Sequence, residues 1–125
     1  MKIKFYKCPK CGKIAVLLNN SSCPTICCSV PMTELKAGAI DAAVEKHVPI
    51  VTQKDNKVLV TVSSLSHPME EKHFIQWIVL QTNKGFIFKE LLPGTEAAAD
   101  FFLSPKEEII KAYNYCNLHG LWESE

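Results

Sequence analysis

Val48-Pro49-Ile50-Val51-Thr52-Gln53-Lys54-Asp55-Asn56-Lys57-Val58-Leu59-Val60-Thr61-Val62 reads as two β-branched runs joined by a polar tetrapeptide. Branching at Cβ suits extended backbone, and Lys54-Asp55-Asn56-Lys57 is the short connection that an antiparallel hairpin requires. The same pattern recurs downstream, where apolar runs at 74–80 and 86–88 flank Thr82-Asn83-Lys84-Gly85. These runs predict a β-sandwich or barrel. No βαβ alternation, internal repeat or low-complexity segment competes with that reading.

One segment speaks against it locally. Ser104-Pro105-Lys106-Glu107 is a capping-box signature, and Ile109, Ile110, Ala112 and Tyr113 follow at helical spacing. Two short strands packed on the sandwich would be apolar as well, and periodicity alone does not separate the two cases.

The chain has 125 residues, 47% of them apolar, with 14 Lys and Arg against 13 Asp and Glu. The net charge of +1, spread along the chain, lacks the basic patch that nucleic-acid binding needs. Apolar runs such as 77–80 fall far short of the roughly 18 to 20 residues that span a bilayer. Met1-Lys2-Ile3-Lys4-Phe5-Tyr6-Lys7 carries charge but no apolar signal core, so the expected compartment is the cytoplasm.

Five of the six cysteines lie within the first 28 residues, whereas all four histidines lie at or after position 47. The chain therefore divides chemically, with a boundary expected between 33 and 40 and domains at 1–36 and 37–125. A piece of ~36 residues is too small to be held by an apolar core alone and needs a staple. In a reducing compartment metal is a better staple than disulfide. Cys8-Pro9-Lys10-Cys11-Gly12 is a metal knuckle, and Cys27 with Cys28 supplies a second pair. Four thiolates close a tetrahedral site suited to zinc or iron. Adjacent cysteines normally point apart, so a distorted site is expected at Cys27 and Cys28. Cys23 is either a replacement for one of them or a free loop thiol.

The second part holds His47, His67, His73, His119 and the remaining thiol, Cys116. Each imidazole alone would ordinarily be structural, yet all of them fall at the ends of predicted elements. His67 and His73 are an even number of residues apart, on one face if the backbone is extended. Cys116 and His119 precede Gly120 in what reads as a turn. Four imidazoles and one thiolate exceed the usual four ligands of zinc and are too soft for magnesium or calcium. Iron fits better: four basal nitrogens and an axial sulfur make a square pyramid with one position open.

With these residues the chain resembles the desulfoferrodoxin family, the two-iron superoxide reductases, over essentially its full length. The resemblance rests on Cys8, Cys11, Cys27 and Cys28, on Glu45-Lys46-His47-Val48-Pro49, on His67-Pro68-Met69-Glu70-Glu71-Lys72-His73 and on Cys116-Asn117-Leu118-His119-Gly120. It implies a desulforedoxin-like four-cysteine iron domain followed by an immunoglobulin-like β-sandwich, and therefore an extended chain over 100–116. It further implies two irons per chain, the second held by His47, His67, His73 and His119 with Cys116 axial, and a homodimer. The implied reaction is one-electron reduction of superoxide to hydrogen peroxide without dioxygen, fed by a rubredoxin-like donor. Lys46 is then expected to steer the anion, and Glu45 to close the sixth position of the oxidised iron. The competing expectations are a closed, non-enzymatic electron carrier and a zinc-stapled binding module.

Overall fold

The computed structural model describes residues 3–63 and 67–125. The chain forms two compact units, Met1–Lys36 and Ala37–Glu125, and almost all of its regular structure is β.

In the first unit β1 (Phe5–Lys7) lies between β2 (Ile14–Val16) and β5 (Thr33–Glu34), and β3 (Ile26–Cys27) pairs with β4 (Val30–Pro31) in a minimal hairpin. Among the described residues, those that it buries and that are apolar are Ile3, Phe5 and Cys8. So thin a core contributes a few kcal/mol at most, which leaves the fold dependent on a further bond between its segments.

The second unit is an immunoglobulin-like sandwich. One sheet has the order β10 (Ala98–Phe102), β7 (Lys57–Val62), β6 (Pro49–Lys54); the other has the order β12 (Gly120–Glu123), β11 (Ile109–Cys116), β8 (Ile75–Thr82), β9 (Gly85–Glu90). Both expected hairpins form. Lys54 pairs with Lys57 across Asp55-Asn56, and Thr82 pairs with Gly85 across Asn83-Lys84. Val58, Val60 and Val62 turn inward in strict alternation to meet Ile78, Leu80, Ala99, Phe101 and Ala112. Between Tyr115↔Trp77 and Cys116↔Ile75 the register shifts by a bulge, which puts Ile75 and Cys116 rather than Gln76 into the core.

The helix suggested by Ser104–Glu107 does not form. The local hydrogen bonds of a capping box are present, with Ser104 N–H donating to Glu107 Oε1 (2.9 Å) and Glu107 N–H to Ser104 O (3.1 Å). Lys106, however, stands at φ +66°, outside the helical region, and the apolar residues from Ile109 onward pair with β8 instead. Long-range burial in the sheet overrides a local start signal.

Candidate metal centres

The first centre starts from a turn. Cys8 N–H donates to Lys13 O (2.9 Å) and Gly12 N–H to Cys8 O (3.0 Å), with Gly12 at φ +82°, a conformation that favours glycine. This turn aims Cys11 N–H at Cys8 Sγ (3.4 Å). That backbone donor is the main reason the Cys8 thiol is held at about 6, well below its ordinary range.

Cys28 and Ser29 form the two-residue turn between β3 and β4, at φ +52° and +63°. Two successive left-handed residues define a type I′ turn, a role usually given to Asn-Gly. This is how neighbouring cysteines come to face one point: the left-handed backbone of Cys28 and Ser29 turns the second sulfur toward the first. Cys27 Sγ lies 3.6 Å from Cys11 Sγ and 4.0 Å from Cys28 Sγ, and all four sulfurs lie within 4.8 Å of one another. Cys23 is exposed and outside this group. The Cys27 thiol is pushed up to about 12, first by Cys11 and then by Cys8. Sulfurs this close cannot all shed their protons unless a cation sits among them, so the donor set fits a metal.

The second centre gathers the ends of distant elements. A 3-10 turn, Val44–Lys46, delivers His47 just before β6. Beyond β7 the backbone between Glu70 and His73 closes into a tight turn through reciprocal bonds of 3.0 Å, so His67 and His73 meet across a turn rather than along a straight strand. Cys116 and His119 come from the β11–β12 hairpin, where Cys116 pairs with Gly120 at φ +77°.

Adjacent imidazoles follow the cyclic order His47, His67, His73, His119, with ring centroids 4.7, 4.7, 5.2 and 4.8 Å apart and planes nearly perpendicular at each step. His47 Nδ1–H donates to Ala43 O and His67 Nδ1–H to Pro68 O, each at 2.7 Å. Those bonds fix the tautomers and leave both Nε2 atoms as bare acceptors. Yet the two Nε2 atoms lie only 3.2 Å apart, and His47 Nε2 lies 3.1 Å from His119 Nδ1. Among the described residues His73 Nε2 is buried without a partner. The lone pairs of His47 and His67, facing each other in this way, call for a cation between them. His47, His67, His73 and Cys116 bring one donor atom each to within 4.8 Å of one another, and His119 stands outside that tighter group, joined to it through His47.

Cys116 Sγ lies 3.9 Å from His119 Nδ1 and within 4.8 Å of the other three donors. It is fully buried, as are His47 and His67 in effect, whereas His73 and His119 reach the surface. Burial pushes the His67 imidazole down to about 4 and moves His47 and His73 the same way, so the rings are neutral ligands at neutral pH. It also pushes the Cys116 thiol up, a cost that a bound cation reverses.

Glu45 and Lys46 are exposed on the 3-10 turn. Glu45 lines a cleft with Val48, Ile50 and Ser124 and is not grouped with the ligand atoms. The Lys46 charge is felt at both His47 and His73, after the larger effect of burial.

Three residues escaped sequence reasoning. Asn114 Nδ2 donates to His47 O (2.8 Å), Asn117 bonds to both neighbours of His73, and Trp122 stacks on His47 at 5.0 Å. Two asparagines flanking Cys116 at the end of an apolar strand were the available signal.

Fold and sites together define a β-protein with two separate metal centres, one of four thiolates and one of imidazoles and a thiolate. A sequence profile described as Desulfoferrodoxin matches residues 39–125. The chain is 44% identical to a desulfoferrodoxin of Syntrophotalea carbinolica, covering 99% of this chain and 97% of the relative, and 43% identical to one of Nitratidesulfovibrio vulgaris, covering 98% and 95%. The superoxide reductase structure from Treponema pallidum superposes with a TM-score of 0.84 at 31% identity, covering 100% of both chains. The chain belongs to the desulfoferrodoxin family.

Proposed function

We propose that the protein is a superoxide reductase with two irons per chain. Each turnover adds one electron and two protons to superoxide, giving one hydrogen peroxide and no dioxygen. The observation that carries this reading is the ring of four imidazoles gathered beside a buried thiol, with the acceptor nitrogens of His47 and His67 facing each other. Iron bound there supplies the electron and an open coordination position.

His47, His67, His73 and His119 would hold that iron together with the buried thiol of Cys116. Lys46 keeps a cation beside the exposed face, where it attracts an anion and stabilises negative charge gathering on it. Glu45, two residues from His47, would supply a carboxylate ligand to the oxidised centre. Cys8, Cys11, Cys27 and Cys28 would hold the other iron in the 1–36 domain, and the sandwich of 37–125 is the catalytic domain.

Cys11 and Cys28 are exposed, which supports the four-cysteine centre as the point where a small electron carrier delivers electrons. Family resemblance supports a rubredoxin-like donor, a homodimer and a cytoplasmic setting. The balanced charge supports a protein without a nucleic-acid partner. No helix among the described residues is long and apolar enough to cross a membrane.

The decisive experiment adds known amounts of superoxide to the reduced protein while following absorption and peroxide. One peroxide per superoxide, with new thiolate-to-iron absorption at the histidine centre, is the expected result; a colourless, redox-silent zinc protein overturns the reading. Glu45→Ala should keep superoxide reduction and change the absorption of the oxidised protein. An unchanged spectrum removes its ligand role.

A further inference from the structure

The four imidazoles are not held alike. Carbonyl oxygens fix the rings of His47 and His67 through Nδ1, and His119 sits within the turn that carries Cys116. Among the described residues the His73 imidazole makes no hydrogen bond, and its Nε2 is buried and unpaired. Its position is therefore set by the main chain on either side.

That main chain is bound by one residue. Asn117 Oδ1 accepts from Phe74 N–H (2.9 Å), Asn117 Nδ2 donates to Lys72 O (3.0 Å), and Asn117 N–H donates to Phe74 O (3.2 Å). Three hydrogen bonds thus bracket His73, all of them from the residue next to Cys116. The Glu70–His73 turn closes on itself through its own pair of bonds, so it is a small body that keeps its shape but needs an external tether. Only a short amide meets that need, because it must accept from one peptide and donate to another at once. An aspartate keeps the acceptor and turns the donor into an oxygen facing the Lys72 carbonyl. An alanine keeps neither.

We propose that Asn117 is a positioning residue that ties the His73 turn to the Cys116–His119 turn and so sets where the His73 nitrogen stands in the ring. It touches neither metal nor substrate. The inference rests on the reading of the histidine–cysteine set as a metal centre.

The test uses the full-length protein stripped of metal and titrated with Co(II), whose absorption distinguishes thiolate-only from imidazole-containing sites. Native protein should bind two Co(II) per chain. Asn117→Ala should weaken binding at the histidine centre by about 10- to 100-fold and alter its ligand-field bands. Binding at the four-cysteine centre and the melting temperature of the metal-free chain should stay near native. Asn117→Asp should fall between the two, and it provides the same comparison if the alanine variant folds poorly. Native affinity and native bands in both variants would overturn the proposal. So would weaker binding with unchanged bands and a matching fall in metal-free stability, which assigns Asn117 to general stability. Uptake of Co(II) by the native chain with thiolate-only bands would instead defeat the reading of the histidine–cysteine set as a metal centre, and the proposal with it.

Discussion

Trp122 lies against the face of His47, ring centroids 5.0 Å apart and planes 25° from parallel, while its Nε1–H donates to the carbonyl of His119 at 3.0 Å. One buried indole thus sets the tilt of one ligand and the backbone of another. Trp122→Phe keeps an aromatic face and loses the donor. Iron at the histidine centre should then escape to a chelator roughly tenfold faster, with the four-cysteine centre unaffected. Equal escape rates in the variant and the native protein would show that the indole N–H has no such part.

Lys46 projects from the turn that delivers His47, and its charge reaches His73 across the site. Lys46→Ala should lower the second-order rate with superoxide by about tenfold and flatten its dependence on salt, because attraction of a small anion is screened by ions. Lys46→Arg should restore most of both. Stopped-flow mixing over a range of ionic strength decides it, and an unaltered rate and salt slope in the alanine variant would dismiss steering.

Gly120 stands at φ +77°, and a Cβ there would lie 2.9 Å from Ile40 Cδ1. Ile40 is 46% exposed and can swing away, but the left-handed backbone cannot be relieved. Gly120→Ala should therefore cost about 1–2 kcal/mol, lowering the melting temperature by several degrees. Adding Ile40→Ala should recover only a small part. Full recovery in a thermal melt would locate the cost in the clash instead.

Thr82 Oγ1–H donates to Glu107 Oε2 (2.5 Å) and Ser104 N–H to Glu107 Oε1 (2.9 Å). Both bonds favour the ionised carboxylate, the Thr82 contact most, and hold its pKa below the ordinary range. A folded-state pKa below the unfolded one gives stability that is complete above the ordinary carboxylate pKa and is lost as pH falls through the folded value. Glu107→Gln should accordingly flatten the acid limb of stability below about pH 4.5, with little change in slope near neutrality. Urea midpoints measured across that range check it; parallel acid limbs would refute the link.

The sandwich hairpins were legible because Lys54-Asp55-Asn56-Lys57 and Thr82-Asn83-Lys84-Gly85 act between adjacent residues. The run from Ser104 to Tyr113 was not, since the choice between helix and strand there depends on β8, far away in the sequence. The ligand set announced itself because cysteine and histidine are sparse and chemically specific. Asn114, Asn117 and Trp122 stayed hidden, as an amide or an indole acquires its task only when a distant carbonyl arrives beside it. The pairing of Cys27 with Cys28 looked like a problem of side-chain direction and is met by the left-handed backbone of Cys28 and Ser29.

The donors of the two centres are spread very differently along the chain. Those of the first lie between Cys8 and Cys28, and those of the second extend from His47 to His119. During synthesis the thiolate set is therefore complete once Cys28 has been made. The imidazole set stays open until the β11–β12 hairpin has been made and has found its place. A cell short of iron would meet these chains with one set of donors waiting long before the other exists.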